Sequence, residues 1–171
     1  MLLVLLALLA IGSAFGQTTF YNETMGTVAA TTAIAAHETA NGFSVVAATY
    51  SGTADVRATT ASTGYTGASG GANVFFTNTI GRYLLVEGID SSAYTDITMT
   101  FGHYKSTTAA NNELTVEVSS DGTNWSPMTY SRPTGTGTTT WLLISPTGSI
   151  PSASNLRLRF TQTNATPPIQ S

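Results

Sequence analysis

Three stretches of the chain alternate apolar and polar residues with a period of two. "DITMTF" sets Ile97, Met99 and Phe101 on one face and Thr98 and Thr100 on the other. "LTVEVS" does the same with Leu114, Val116 and Val118 against Thr115, Glu117 and Ser119, and "LRLRFTQ" with Leu156, Leu158 and Phe160 against Arg157, Arg159 and Thr161. Side chains of a strand point alternately to its two faces, so each stretch predicts a strand with one buried and one wet face, the pattern of antiparallel sheets. Shorter β-rich runs predict strands over Thr18–Thr24, Gly42–Tyr50, Val56–Thr60, Val74–Thr77, Tyr83–Gly88, Ser126–Tyr130 and Thr140–Ile144. About ten short strands separated by Gly, Ser, Asn and Pro predict an all-β fold, an antiparallel β-sandwich of jelly-roll type, with a barrel as the alternative.

Between the strands, "VAATTAIAAHETA" (Val28–Ala40) is rich in Ala, which favours a helix, but its Thr residues and poor apolar stripe oppose one. It reads as a long connection holding about one helical turn. The loop Thr60–Asn73 is long and glycine-rich, a kind of loop that often carries function, and Pro133–Thr140 reads as a shorter hairpin connection. Pro167 and Pro168 should stop any strand, so "TNATPPIQS" predicts no ladder at the end of the chain.

"SSDGTNW" (Ser119–Trp125) has the look of a sialidase-type Asp box, S-x-D-x-G-x-x-W, but Gly122 follows Asp121 directly and the match fails by one residue. Asp-Gly between two β-like runs instead predicts a tight hairpin, with Gly122 taking positive φ. Trp125 then starts the return strand and is expected mainly to pack the hairpin against the sandwich.

Composition narrows the class. The chain has 171 residues, 42% apolar and 9% charged, enough apolar material for one domain with a core and too much for a disordered segment. The net charge is -3, and the six basic residues, with Lys105 the single lysine, are scattered. Phosphate backbones need clustered cations, so nucleic acid is excluded as a partner. Residues 1–16, "MLLVLLALLAIGSAFG", read as a signal peptide: an apolar run too short to span a bilayer, then small residues before a cut ahead of Gln17. No basic residue precedes that run, and a buried N-terminal segment of the fold is the alternative. Residues 17–171 would form a single β-sandwich domain, secreted or held at the cell surface, with no membrane span after signal cleavage. The chain has no Cys, which removes disulfides, thiol catalysis and cysteine-ligated zinc.

Candidate chemistry is sparse. His37 and His103 are the only histidines and no G-x-S-x-G stretch occurs, so a serine-histidine hydrolase has no signature. No feature singles out a glycosidase carboxylate pair, and no histidine spacing suits zinc. Calcium takes oxygen ligands, and Glu23 and Asp55 with loop groups near Asn73 are the candidate set for a structural calcium; otherwise no cofactor is required. Tyr65, Tyr104, Trp125 and Trp141 lie on loops or strand ends, where an aromatic face can stack on a sugar or can simply join the core. Asn22, Asn124 and Asn164 open N-x-S/T sequons.

The strings "YTGASGGANVFFT", "FGHYKSTT", "ELTVEVSSDGTNW", "RPTGTGTTTW" and "PSASNLRLRFTQ" occur in order. From Phe20–Gly26 onward the chain resembles secreted jelly-roll β-sandwich modules of large exported proteins from gliding, polymer-degrading bacteria, linked to type IX secretion. The resemblance implies an adhesin-like or carbohydrate-binding-like module accompanying other domains of a longer parent protein. It also implies a further strand with an acidic stretch after "LRFTQ", where this chain has "TNATPPIQS", so the domain should lack its final strand and present an open sheet edge. The function expected is therefore a non-catalytic adhesion or carbohydrate-binding module, not an enzyme. Its partner would be a polysaccharide or cell-surface glycan, with Tyr104 and Trp125 stacking and Asn73 and Lys105 bonding hydroxyls or a carboxylate. The alternative is a structural spacer or assembly subunit that takes a strand from a donating partner at the open edge.

Overall fold

The computed structural model describes residues 16–77, 79–105, 114–131, 140–163 and 169–170. In chain order the elements are β1 (Thr32–Ala33), α1 (Ile34–Thr39), β2 (Thr49–Gly52), β3 (Asp55–Arg57), β4 (Asn73–Phe76), β5 (Tyr83–Ile89), β6 (Phe101–Lys105), β7 (Leu114–Ser119), β8 (Ser126–Met128), β9 (Leu142–Ile144), β10 (Leu156–Gln162) and β11 (Ile169–Gln170). The strands form two antiparallel sheets, a five-stranded one ordered β2-β5-β10-β7-β8 and a six-stranded one ordered β1-β3-β4-β11-β6-β9. The fold is thus an antiparallel β-sandwich.

The clearest period-two patterns occupy the centre of the five-stranded sheet. β10 pairs with β5 on one side and β7 on the other, with Leu158 opposite Val86 and Val118, and Phe160 opposite Leu84 and Val116. These residues are all buried. Their outward neighbours carry charge: Arg157 Nε meets Glu87 at 2.8 Å and Arg159 Nη2 meets Glu117 at 2.8 Å. Pro127 sits on β8, the sheet's edge, where its missing N–H costs no ladder bond. The opposing layer supplies Val56, Val74 and Phe76 to the same core, and the six-residue α1 closes one end with Ile34 and His37 buried.

β7 and β8 form a hairpin with Asp121-Gly122 in its turn, but six residues, Ser120–Trp125, connect the strands, a longer connection than the tight turn expected. Gly122 has φ 76. The Asp121 carboxylate gathers the Thr123 and Asn124 amides at 2.8 and 2.7 Å and the Asn124 side-chain amide at 2.7 Å. Trp125 differs from expectation. Its ring lies on the outer face of the five-stranded sheet under the Arg159 guanidinium, 4.1 Å from the ring centroid. The alternation explains it: Arg159 and Glu117 point outward, and the ring lies with them.

Other expectations are adjusted. Thr18–Thr24 joins no ladder, and in Gly42–Tyr50 only Thr49 and Tyr50 are strand. "DITMTF" keeps its alternation of burial, with Ile97, Met99 and Phe101 half-buried and Thr98 and Thr100 exposed, yet its strand begins only at Phe101. The prolines do not end pairing, because Ile169–Gln170 follow them and have the amides that prolines lack. These two residues pair with β4 and β6 together, so the chain's last ladder lies inside the six-stranded sheet and not at an edge. The signal peptide up to residue 15, the sequon at Asn164 and the 133–139 part of the predicted hairpin loop lie outside the described residues.

Candidate functional site

The residues predicted from sequence do not converge. Lys105 faces the interior from β6 and is fully buried. Asn73 on β4 is also buried, with its side-chain amide donating to the Thr59 and Thr60 carbonyls at 2.9 and 3.2 Å, while its Oδ1 has no hydrogen-bond partner among the described residues. Tyr104 points to the outer face of the six-stranded sheet and packs on Trp141, ring centroids 5.5 Å apart. Trp141 Nε1 donates to the same Thr60 carbonyl at 3.1 Å. Asn73, Tyr104 and Trp141 therefore gather under the loop that begins at Thr60. Trp125 lies on the other sheet.

Glu23 is a hydrogen-bond hub. Its Oε1 accepts the Met25 amide, the Ser44 amide at 3.0 Å and the Ser44 hydroxyl at 2.9 Å; its Oε2 accepts the Val45 amide at 2.8 Å and the Tyr50 hydroxyl at 2.7 Å. Both oxygens are occupied in tying the N-terminal segment to the turn before β2. Asp55 lies on β3, in register with Ala33 and Phe75. Among the described residues no group of three or more His, Asp or Glu converges on a point where a cation could sit.

A cleft of about 520 Å³ opens at the six-stranded sheet. Its lining comes from three levels. Above lie Ser62 and Tyr65 of the glycine-rich loop; at the sides are Ala72 and Asn73 next to Ile97–Gly102; below are Leu158 and Phe160 of the opposite sheet. The Gln17–Met25 segment forms a further wall, with Gln17 Nε2 donating to Thr98 Oγ1 at 2.7 Å and Phe20 stacked on Tyr94 at 4.3 Å. Among the described residues Glu23 is the one charged residue in that lining, and its carboxylate is already saturated.

Gly102 and Tyr65 set the roof. A Cβ at Gly102 would lie 2.1 Å from the Tyr65 hydroxyl, so the loop can descend onto β6 only because that position has no side chain. Ser62 Oγ holds the same hydroxyl at 2.5 Å. A second, smaller cleft of about 350 Å³ lies beside the first, lined by Thr60, Thr63, Gly64, Thr140, Tyr104 and Trp141.

The residues missed from sequence are those flanking the cleft, above all Ile97–Gly102. Their signal was present: the apolar alternation over Ile97–Phe101 starts four residues ahead of the ladder that uses it. Among the described residues, no helix is long and apolar enough to cross a membrane. Comparisons with protein-family models, with curated proteins and with solved structures found no match.

Proposed function

We propose that the chain is a non-catalytic binding module, of the adhesion or assembly kind, and that it engages its partner at the cleft of the six-stranded sheet. The observation that carries this reading is a 520 Å³ opening, uncharged among the described residues apart from a saturated carboxylate, that leads from the six-stranded sheet to core side chains of the other. A sandwich layer closes when its strands are all paired, and an opening leaves backbone groups and apolar surface for something else to cover. Export to the cell surface, as the N-terminal residues suggest, suits such a role.

The test is to block the cleft. Thr100 is exposed on its wall, and the chain has no native Cys. Thr100→Cys, coupled to a bulky maleimide, is expected to abolish binding of extended peptides by the purified chain. Retained binding after coupling overturns the cleft as the site.

Glycan binding is the second reading, and one observation favours it. The smaller cleft combines two aromatic rings, Tyr104 and Trp141, with threonine hydroxyls, the mixture that holds a sugar ring. Capture of a polysaccharide that survives the blocked Thr100 position but is lost in Trp141→Ala would support this reading over the first.

A further inference from the structure

We infer that Arg57 is the anion-binding residue of the smaller cleft, and that the ligand there is an acidic polysaccharide. A uronate carboxylate would pair with the Arg57 guanidinium while its sugar ring enters the cleft. The inference rests on the glycan reading above and names the class of sugar.

Strand parity places the cation. Val56 of β3 is buried in the core, so Asp55 and Arg57 point to the outer face of the six-stranded sheet. Arg57 stands opposite Asn73 and Asp55 opposite Phe75, and paired residues share a face. The Arg57 guanidinium folds over the Phe75 ring, with Cζ 3.3 Å from the centroid. Three other described arginines direct their guanidinium to protein acceptors: Arg82 to the Thr53 carbonyl, Arg157 to Glu87 and Arg159 to Glu117. Arg57 has no such acceptor among the described residues, and its Nε is buried there without a hydrogen-bond partner. Burial holds its pKa below the ordinary arginine value, against the opposing pull of the Asp55 carboxylate and the Tyr104 hydroxyl.

Tyr104 joins this cation to the cleft. Its hydroxyl is close enough to act on the Arg57 charge, and its ring lines the 350 Å³ cleft and packs on Trp141. Thr60, also in the lining, follows Arg57 by three residues, which keeps their Cα atoms within about 11 Å. The Thr60 carbonyl accepts both the Asn73 side-chain amide and Trp141 Nε1, so the wall nearest Arg57 is held from two strands. The cleft stands at the lower end of the roughly 300–1,000 Å³ range of small-ligand sites, room for one sugar unit.

Two features select an acidic sugar over a neutral one. Tyr104 and Trp141 are only 8% and 6% exposed, so little aromatic face remains for stacking and a neutral ring gains little from them. What remains is polar: threonine hydroxyls for the sugar's own hydroxyls, and Arg57 for an anion. Stacking on Phe75 fixes the guanidinium plane and leaves its N–H edge for an acceptor, and a carboxylate matches that fork with two parallel bonds. Asp55 beside it limits the charge that can be taken. Among the described residues no second cation points outward from these strands, so a monoanion is attracted while a phosphate dianion meets Asp55 without an offsetting charge.

The experiment measures binding of trigalacturonate and of its uncharged trimethyl ester to the full chain by calorimetry. The acid is expected to bind about tenfold or more tighter than the ester, the effect of one charge-assisted pair. Arg57→Met keeps an apolar stem on Phe75 and removes the charge; it should erase the preference and leave ester binding unchanged. Thr63 is exposed at the cleft, and Thr63→Tyr should fill it and abolish binding of both sugars. Equal binding of acid and ester by the parent chain, or a preference that survives Arg57→Met, overturns the inference and leaves the glycan reading standing. Acid binding that survives Thr63→Tyr, or loss of the ester together with the acid in Arg57→Met, also overturns it. A sulfated galactan or a polyglutamate peptide that binds as tightly as the uronate overturns the assignment of the sugar. If no saccharide binds, the inference and the glycan reading fall together.

Discussion

The Tyr50 hydroxyl donates to the Glu23 carboxylate at 2.7 Å, and the Tyr21 hydroxyl lies 3.0 Å from Tyr50. One exposed-looking acid near the N-terminus thereby anchors a wall of the cleft to the five-stranded sheet. Glu23→Ala leaves the Ser44 and Val45 amides and the Tyr50 hydroxyl without their acceptor. The expected loss is about 3 kcal/mol, since bonds to a charged acceptor are individually worth up to that amount and are not additive. Glu23→Gln keeps one acceptor oxygen and should lose about half as much. Urea unfolding midpoints of the two variants check this; a midpoint unchanged in Glu23→Ala would remove the hub role.

Burial raises the Tyr50 hydroxyl's pKa well above the ordinary tyrosine range, aided by Tyr21 and Glu23, and burial does the same to Tyr21. Both are therefore neutral in the fold at pH values where they ionise in the unfolded chain. Above about pH 10 the unfolded state binds fewer protons than the folded one, so stability falls as pH rises. Below that pH the contribution is fully present. Tyr50→Phe should flatten the alkaline slope of stability between roughly pH 10 and 12, measured by denaturation at a series of pH values.

Gly102→Ala should be costly out of proportion to one methyl group. The added Cβ would meet the Tyr65 hydroxyl at 2.1 Å, on a strand held by β9 on its other edge. Overpacking of this kind costs about 1–3 kcal/mol. Tyr65→Ala removes the obstacle, so the double variant should recover stability relative to the sum of the two single changes. Strict additivity would show that the loop yields without strain.

Asp121 is fully solvent-exposed, yet its carboxyl is held far below the usual carboxylate range, mainly by the Asn124 side-chain amide and then by the Asn124 and Thr123 backbone amides. A depressed folded pKa contributes stability that is present above the unfolded value of about 4 and is lost as pH falls below it. Asp121→Ala should lower the thermal midpoint at neutral pH and narrow the gap to the parent chain under acid. An equal gap at pH 7 and pH 2.5 would contradict the turn's ionic character.

Trp125→Ala should leave peptide binding at the cleft unchanged and reduce stability only by about 0.5–1 kcal/mol, the value of a partly exposed cation–π pair. Arg159 covers the ring and also bonds Glu117 through Nε at 2.9 Å, so the face is engaged by the protein itself. Loss of binding in Trp125→Ala would move the site to the five-stranded sheet.

What was legible in the chain was whatever depended on neighbours in sequence. β7 and β10 could be read because every second residue is apolar, and the β7–β8 turn because Asp-Gly supplies positive φ. The candidate site was less legible. Asn73, Tyr104 and Lys105 sit near one another in the six-stranded sheet, but strand parity sends Lys105 inward and Tyr104 outward, and a loop closes over Asn73. Trp125 was expected against the sandwich because it opens a return strand; outward-facing charges on β10 and β7 drew its ring to the other side.

The amino-acid sequence by itself determined an all-β chain, the alternating core of its five-stranded sheet and the hairpin at Asp121-Gly122, because period-two burial and turn chemistry are local. Only the tertiary structure decided that, among the described residues, Ile97–Thr100 lines a cleft while Phe101 pairs with Ile144, and that Ile169–Gln170 enter between β4 and β6. The latter pairings span about 65 to 95 residues of chain. No local pattern encodes them, because a strand's own sequence states which face it buries but not which strand lies beside it.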